Sequence, residues 1–451
     1  MIATTAGALP GCTVVRGAPA TPIAGVEMDS RLAGRGSLFV AIRGGHAHTA
    51  DARAQGCAAV LVEDDRAAVE TEGVVLTAPD TIAALQRIGA ANRAASAATV
   101  VGVTGSSGKT STKDVLAALV GAERRTIAAA EGHNNEIGLP FTLTRIAADT
   151  EVAVCEMSMR GPGQITELAE LARPEIGVIT NVGEAHLELL GSREAIAAAK
   201  AELLGYVEIA IVPAGEPLLG PHLRDRPSVI TFGEEAGADV RVAGRSPAAA
   251  GMTVTLVVDG RPLPVETNLT GRHNALNLAA AIGVCRALGL DLEACARAAA
   301  GVRLQRWRSE EHPLPGGGLA VNDAYNANPS SMEAALASLA ERPGSGRLVA
   351  VLGVMAELGP DGPELHRRVG AAAAELGYTV LVAVGEPARA YLDGAGDGVE
   401  THLVADRDAV VAYLADVVRP DDRVLVKASR SAGLEQVAAG IAARLANGAA
   451  T

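Results

Sequence analysis

The chain has 451 residues, which predicts roughly three domains at about 150 residues each. Hydrophobic residues make up 49% of the chain and aromatic residues only 2%, so the cores must be packed with Ala, Val, Leu and Ile. The formal net charge of −13 repels phosphate polyanions, which argues against a protein whose main role is to bind nucleic acid. Wholesale disorder is also excluded, because aliphatic side chains are abundant and only 20% of the residues are charged.

The five cysteines are spread along the chain, and no two of them form a CxxC pair. This distribution predicts reduced thiols in a cytoplasmic protein, with neither a disulfide framework nor a zinc site. No run of about 18 apolar residues occurs, so we expect no membrane-spanning segment and no membrane partner.

The first predicted domain covers residues 1–97. Short runs rich in β-branched residues, at 37–42, 58–62 and 74–76, alternate with Ala-rich helical stretches. This alternation predicts a small N-terminal α/β domain.

The second predicted domain covers residues 98–312. Its opening run, 99–103, is continuously apolar, which is typical of a parallel strand buried on both faces. Residues 252–258 begin with alternating apolar and polar side chains, which predicts an antiparallel hairpin appended to the main sheet, and a helix is predicted at 274–288. Further strands are predicted at 152–155, 176–179, 209–212 and 229–232.

The third predicted domain covers residues 313–451. A Pro- and Gly-rich segment at 312–318 predicts a hinge before it. Strand–helix units then recur as in a Rossmann-like sheet, although no GxGxxG fingerprint occurs. The strands are predicted at 319–321, 347–353, 379–385 and 423–427. The predicted fold class is therefore α/β, with three domains in series.

The strongest chemical signal is the segment 102–112, which follows a predicted strand and precedes a helix. Glycines let the backbone wrap around an anion, Lys109 can reach the β- and γ-phosphates, and the Thr110 hydroxyl can ligate Mg²⁺. The strict P-loop pattern fails at Val103, because the glycine stands at 105 instead. A glycine turn followed by a lysine is the alternative, but strand, turn, Lys-Thr and helix together predict an ATP site in a central domain of the P-loop ATPase type. The predicted loop residues are Gly105, Ser106, Ser107, Gly108, Lys109, Thr110 and Ser111.

With this loop, the chain resembles the Mur ligase family over nearly its whole length. Two motifs, Tyr-Asn-Ala-Asn-Pro at 325–329 and Lys-x-Ser-Arg-Ser at 427–431, resemble the member that joins D-alanyl-D-alanine to UDP-N-acetylmuramoyl-tripeptide. The resemblance implies an ATP-dependent, ADP-forming carboxylate–amine ligase of peptidoglycan synthesis that works through an acyl phosphate, is cytoplasmic and acts as a monomer. The other segments that carry it are 104–110, 133–140, 156–161, 181–187, 199–202, 271–277 and 322–324.

The resemblance also implies a catalytic centre with two Mg²⁺ ions. Besides Lys109 and Thr110, Glu156 would ligate one ion, and His186 would ligate or support the second. Lys200 would be carbamylated, because a bare ammonium beside two metal ions would be repelled. The alternative for Glu156 is a solvated carboxylate, the alternative for His186 is a structural or exposed histidine, and the alternative for Lys200 is an ordinary surface lysine.

Further residues would bind the nucleotide. Asn274 and Asn277 lie three apart on one helix face and would present amides to adenine, with N-capping by Asn274 as the alternative. By resemblance, Asp323 would bind the ribose and Arg306 the phosphates, with a surface salt bridge as the alternative for Arg306. Asn135, together with its neighbour at 134, would position phosphate or the acyl group, or else form a turn.

The remaining candidates would bind the other two substrates. Ser30 and Arg31 resemble the uridine-binding loop of the first domain, and Asn134 is a further substrate contact. Lys427 is an additional phosphate candidate. The dipeptide candidates, with Arg430 suited to a carboxylate, are Tyr325, Asn326, Asn328, Ser429 and Arg430.

Two other functions stay open on the sequence. The same fold could serve another amino-acid ligase of the Mur family or one similar to folylpolyglutamate synthase. A P-loop NTPase or switch would instead turn over ATP without an acceptor, whereas a ligase should release phosphate only with both substrates present.

Overall fold

The computed structural model describes residues 1–63, 73–226, 228–248 and 250–448. Helices and strands alternate along the chain, which confirms the predicted α/β fold class. The chain divides into two compact units. Unit 1 comprises Met1–Thr104, Val120–Val178 and Ala201–Ala210, and unit 2 comprises Gly105–Leu119, Ile179–Lys200 and Ile211–Thr451.

Unit 1 begins with a five-stranded sheet in the order β2-β7-β6-β5-β4. Strands β4 to β7 are parallel, and β2 is antiparallel to β7. The strands predicted near residues 40, 60 and 75 are confirmed. The bounds are β2 Thr13–Arg16, β4 Gly25–Glu27, β5 Ser37–Val40, β6 Ala59–Val62 and β7 Val74–Thr77, with a separate antiparallel pair β1 Thr4–Thr5 and β3 Pro22–Ile23.

Four more strands of unit 1 follow the order β11-β8-β10-β9. Both β8 and β9 pair with β10 in parallel, so the carboxyl ends of these three strands lie at one edge. The predicted strands 99–103, 152–155 and 176–179 are confirmed. The bounds are β8 Thr99–Thr104, β9 Thr126–Ala128, β10 Val152–Glu156 and β11 Ile176–Ile179.

Unit 2 contains the order β16-β15-β14-β13-β12, in which β12 enters the unit at Ile211. Strands β14, β15 and β16 are antiparallel neighbours, which confirms the appended hairpin and extends it to three strands. The bounds are β12 Ile209–Pro213, β13 Val229–Gly233, β14 Val240–Ala248, β15 Gly251–Val258 and β16 Arg261–Thr267.

A second sheet of unit 2 has the order β17-β18-β22-β19-β20-β21, and all its pairings are parallel except β17 with β18. The four strands predicted in this part of the chain are confirmed. The bounds are β17 Glu310–Pro313, β18 Leu319–Asn322, β19 Leu348–Gly353, β20 Tyr378–Val384, β21 Glu400–Val404 and β22 Arg423–Lys427.

The Pro- and Gly-rich segment at 312–318 is not a hinge. Strands β17 and β18 pair antiparallel from Glu310 opposite Asn322 to Pro313 opposite Leu319. The segment therefore forms the turn of a hairpin inside this sheet. Pro and Gly are common in such turns, so the composition of the segment fits a turn as well as a hinge.

The α-helices fill the connections between strands, and the helix predicted at 274–288 is confirmed. None of the helices in the described part of the chain is both long and apolar enough to cross a membrane. They are Thr49–Ala54, Thr81–Ala94, Lys109–Gly121, Gly138–Thr144, Gln164–Ala172, Leu187–Leu190, Arg193–Ala201, Gly220–Leu223, Arg272–Ala287, Leu292–Ala298, Pro329–Ala340, Gly362–Glu375, Ala390–Ala395, Arg407–Val417 and Val437–Gly448.

The continuous apolar strands are explained by burial on both faces of the sheets. In β5, Leu38 and Val40 belong to one hydrophobic cluster, whereas Phe39 between them belongs to another. In β19, Val349 and Ala350 likewise contribute to two different clusters. Successive side chains point to opposite faces of a strand, so both faces are covered and every position must be apolar.

Two helices of unit 1 pack closely where Gly89 faces Pro140. A Cβ atom at Gly89 would lie 2.5 Å from the carbonyl oxygen of Pro140. The buried amide of Asn92 donates from Nδ2 to the carbonyls of Leu143 and Ile146, at 2.8 and 2.9 Å. The helix Thr81–Ala94 is thus fixed to the segment 138–146 by backbone contact and by a satisfied buried amide.

We expect Gly89→Ala to lower the free energy of unfolding by about 1–3 kcal/mol, because the added methyl group overpacks against backbone that cannot rotate away. Denaturant unfolding monitored by circular dichroism measures the change. Gly121→Ala is the matched control, since a Cβ there meets nothing within 4 Å and alanine favours a helix. Equal stability of the two variants would contradict this packing.

Candidate active site

The phosphate-loop candidate connects β8 to the helix Lys109–Gly121, as predicted. Gly105 and Gly108 have φ angles of 150° and 75°, which side-chain-bearing residues rarely adopt. A Cβ at Gly105 would collide with Oγ1 of Thr180, and one at Gly108 would lie 2.7 Å from Oδ1 of Asn277. The glycine at 105, displaced from the strict pattern, is therefore required by close packing of the loop.

The segment 180–183 braces this loop. The N–H groups of Ser106 and Ser107 donate to the carbonyl oxygen and to Oδ1 of Asn181, at 3.1 and 3.0 Å. The N–H of Gly183 donates to Oγ of Ser106 at 2.9 Å. The sequence predicts loop amides that face an anion, but these two are paired with protein and maintain the shape of the loop.

Lys109 begins the helix that follows the loop. Its Nζ donates to the carbonyl oxygen of Gly105 at 2.7 Å, so the ammonium group folds back over the loop. Thr110 and Ser111 are both buried in the first turn of the helix. The structure therefore brings the predicted loop residues together around one turn.

Arg308 contributes a guanidinium that the sequence analysis missed. Its Nη2 donates to the Thr110 hydroxyl at 2.8 Å, and its Cζ lies 4.1 Å from the ring centroid of Tyr325. Arg306, the predicted phosphate contact, is exposed, and its role stays a prediction. The sequence carries no signal that separates two arginines on either side of Trp307.

The predicted adenine contacts, Asn274 and Asn277, are buried at the start of the helix Arg272–Ala287. Asn277 accepts the Thr112 hydroxyl at 3.2 Å through Oδ1 and donates to Oδ1 of Asn274 at 3.2 Å. The N-cap of this helix is Gly271, so capping by Asn274 is not observed. The two amides instead form a chain of hydrogen bonds that reaches the phosphate-loop helix.

The predicted ribose ligand, Asp323, follows β18 and forms an ion pair with Lys427 at 2.5 Å. Its other oxygen accepts the N–H of Ser309 at 3.1 Å, and Lys427 also donates to the carbonyl oxygen of Asn326 at 2.9 Å. The charge of Lys427 is thus neutralised by the carboxylate of Asp323.

A histidine near this ion pair is uncharged. Burial, partly opposed by Asp323, lowers the pKa of His273 to about 4, so this imidazole is neutral near pH 7.

Lys200 and His186 are the other two predicted catalytic residues of unit 2. Lys200 is only 2% exposed. Burial and the positive charge of Lys109 lower the pKa of Lys200 well below its ordinary value. His186 Nδ1 lies 2.6 Å from Oε2 of Glu357. Burial lowers the pKa of His186 as well, with Lys109 and Lys200 acting in the same direction and Glu357 opposing them.

Glu156 lies in unit 1, at the carboxyl end of β10 and in register with Val103 of β8. It is buried and accepts Nδ2 of Asn134 at 2.8 Å. The Oδ1 of Asn135 accepts the N–H groups of Ile137 and Gly138 at 3.2 and 2.9 Å. Asn134 therefore orients the predicted metal ligand, while Asn135 forms the turn that was its alternative role.

Ser30 and Arg31 lie in a short 3-10 helix of unit 1, at Ser30–Leu32. The Arg31 side chain is 85% exposed and forms an ion pair with Asp29 at 2.6 Å. Hydrogen bonds from Arg31 lower the pKa of Asp29 to about 2. Arg31 is thus held in place by its neighbour, and its contact with a substrate stays a prediction.

The dipeptide candidates of unit 2 differ in their surroundings. Asn328 caps the helix Pro329–Ala340 through Oδ1, and its Nδ2 donates to the carbonyl oxygen of Ser106 at 3.3 Å. Ser429 is buried between backbone groups. Arg430 is half-exposed and stacks on Trp307, with its Cζ 4.0 Å from the ring centroid. Arg430 forms an ion pair with Glu435 at 3.4 Å but keeps about half of its side chain accessible, whereas Asn328 connects the helix to the phosphate loop.

The fold and the site define a nucleotide-binding α/β protein with a modified P-loop. Two family models match the chain: the Mur ligase middle domain over residues 103–285, and the Mur ligase glutamate ligase domain over 303–430. The chain belongs to the Mur ligase family.

Individual relatives agree with this assignment. The UDP-N-acetylmuramoyl-tripeptide–D-alanyl-D-alanine ligase of Synechocystis sp. is 38% identical over 421 residues, covering 91% of this chain and 90% of that protein. The crystal structure of MurF from Acinetobacter baumannii is 29% identical with a TM-score of 0.84, covering 94% of both chains. MurF ligase from Thermotoga maritima, solved in complex with ADP, is 26% identical with a TM-score of 0.80, covering 94% of this chain and 98% of that one.

We expect Arg308→Ala to weaken ATP binding or turnover by about 10- to 100-fold, the range for losing a charged hydrogen bond of about 1.5–3 kcal/mol. Arg306→Ala removes the same charge from an exposed position two residues away and should have the smaller effect. Steady-state kinetics with varied ATP compares the two variants. The opposite ranking would favour Arg306 over Arg308 as the phosphate contact.

Proposed function

We propose that this chain is an ATP-dependent ligase that joins the amine of D-alanyl-D-alanine to the terminal carboxylate of UDP-N-acetylmuramoyl-tripeptide, forming ADP and phosphate. The relatives that span almost its whole length carry this activity in their names. The observation that carries the proposal is the modified phosphate loop, with Lys109 folded over it and Arg308 bonded to Thr110. Such a loop is suited to a triphosphate.

The reaction needs activation because a carboxylate is a poor electrophile. A carboxylate oxygen of the tripeptide attacks the γ-phosphorus of ATP, the bond to the β–γ bridging oxygen breaks, and ADP leaves. The amine then attacks the carbonyl carbon of the acyl phosphate, and the tetrahedral adduct expels phosphate and loses a proton to give the amide. Both the acceptor and the γ-phosphate are anionic, so the site must supply positive charge.

Lys109 and Arg308 supply part of that charge from the chain itself. Two Mg²⁺ ions are proposed to supply the rest. The hydroxyl of Thr110 and the carboxylate of Glu156 are oxygen donors of the kind that Mg²⁺ prefers together with substrate phosphates. Thr110 and Glu156 would hold one ion, while His186 and Lys200 would support the other. When bound, the ions neutralise phosphate and carboxylate charge during transfer.

Lys200 is proposed to act as a carbamate. A buried ammonium near Lys109 is disfavoured, and the lowered pKa leaves a larger neutral fraction of Lys200 at pH 7 than an exposed lysine has. The neutral amine attacks the carbon of CO₂, an N–C bond forms, and one proton is released. The product is an anion, which suits a position beside the cations of this site.

The rest of the nucleotide and the two other substrates are assigned to the residues named from the sequence. Asn274 and Asn277 bind adenine and Asp323 the ribose. We assign residues 1–97 to the UDP-sugar peptide, 98–312 to ATP and 313–451 to the dipeptide. Of the dipeptide candidates, the accessible guanidinium of Arg430 is the one suited to a carboxylate.

Phosphate release tests this function directly. With UDP-N-acetylmuramoyl-tripeptide and ATP present, release should depend on added D-alanyl-D-alanine, and Lys109→Ala should abolish it. Release without the dipeptide would favour a simple NTPase. Release that depends on a folate and glutamate instead would favour a ligase similar to folylpolyglutamate synthase.

We expect Lys200→Ala to lower kcat by about 10- to 100-fold, as is usual for groups that support a metal site, and acetate or propionate to restore part of it. Lys113→Ala is the matched control, because Lys113 is an equally buried lysine paired with Asp114. Any activity that this control loses should not return with carboxylic acids. Equal responses of both variants would argue against the carbamate.

A further inference from the structure

A short hydrogen bond joins two distant parts of unit 2. Nδ1 of His186, just before the helix Leu187–Leu190, lies 2.6 Å from Oε2 of Glu357, which follows β19. The two residues are 171 positions apart, and the sequence motifs single out only the histidine. The structure therefore identifies Glu357 as a partner of His186 that the sequence motifs do not include.

The backbone at both partners is unusual. His186 has a φ of 64° and Glu357 a φ of 60°, a region that residues with side chains seldom adopt. The N–H of Glu188 also donates to the carbonyl oxygen of Glu357 at 3.3 Å. Strained conformations persist where the surroundings impose them, and they cluster at functional sites. At this site, the two strained conformations place the carboxylate of Glu357 against Nδ1 of His186.

The contact determines the state of the imidazole. A carboxylate oxygen can only accept, so the shared hydrogen belongs to Nδ1 of His186. In the neutral ring, Nε2 is then the nitrogen with a free lone pair. The nitrogen of His186 that does not contact Glu357 is therefore the acceptor of the ring.

We propose that Glu357 is a positioning residue for His186, fixing the ring orientation and the Nδ1–H tautomer so that Nε2 is available as a ligand or acceptor during phosphoryl transfer. This inference rests on the proposed ligase function. Carboxylates that accept the second N–H of a histidine commonly have this effect, and their loss typically costs 10- to 100-fold in affinity or activity.

A purely structural role must be distinguished, because the same segment is attached nearby. Oε2 of Glu184 accepts the Ser330 hydroxyl at 2.6 Å, and its Oε1 accepts Nη2 of Arg368 at 3.2 Å. Glu184→Gln is therefore a matched control: it weakens a carboxylate contact of this segment and leaves the bond between His186 and Glu357 in place.

The decisive measurement is the tautomer of His186 in the full-length chain without substrates. Long-range proton–nitrogen NMR spectra of histidine-labelled protein give the protonated nitrogen of each neutral ring, and the signal missing from His186→Gln identifies the residue among nine histidines. We expect the Nδ1–H form in the native chain and in Glu184→Gln. We expect Glu357→Ala to lose this preference, and Glu357→Gln, whose amide oxygen can still accept, to retain it.

Kinetics provide the second readout. Glu357→Ala should lower kcat by about 10- to 100-fold and leave the KM for the dipeptide unchanged, with partial recovery in Glu357→Gln. A native chain in the Nε2–H form, or a Glu357→Ala variant with an unchanged tautomer and unchanged kcat, would overturn the proposal. A native chain with the Nδ1–H tautomer but no ligase turnover would instead refute the proposed function and leave the orientation of the ring intact.

Discussion

The phosphate loop passes so close to Thr180 and Asn277 that neither Gly105 nor Gly108 can carry a side chain. This contact fixes the path of the backbone before any ligand binds, and Lys109 follows immediately after it. A loop that is shaped in advance does not have to be ordered by the triphosphate, so less binding free energy is lost to ordering. The close packing at Gly105 and Gly108 thus fixes the backbone from which the Lys109 side chain extends.

Three cationic side chains of unit 2 were named as candidates to bind phosphate, and each has a different partner. Lys109 donates to a loop carbonyl, Arg308 donates to the Thr110 hydroxyl, and Lys427 is neutralised by Asp323. Arg308 also attracts the carboxylate of Asp114 and partly opposes the rise in the pKa of that group that burial causes.

Local patterns predicted the strands well because burial on both faces leaves an unbroken apolar run, as at 99–103 and 176–179. The loop was also predictable, since its glycines and Lys-Thr are contiguous. The contact of Arg308 with Thr110 was not, because φ is positive at both Trp307 and Ser309, and no local pattern encodes that path. Glu357 was missed for a related reason: its partner lies far away in the sequence.

Some polar residues of the motifs shape the site, whatever they also bind. Asn328 uses Oδ1 to cap a helix and Nδ2 to reach the carbonyl oxygen of Ser106, so its amide connects that helix to the phosphate loop. Asn134 similarly donates to Glu156 while accepting from Ser158. An amide with both ends engaged in the protein can contact a ligand only with its remaining N–H or lone pair. Motif residues of this type therefore act first by holding the charged groups in position, and a substrate contact must be compatible with that geometry.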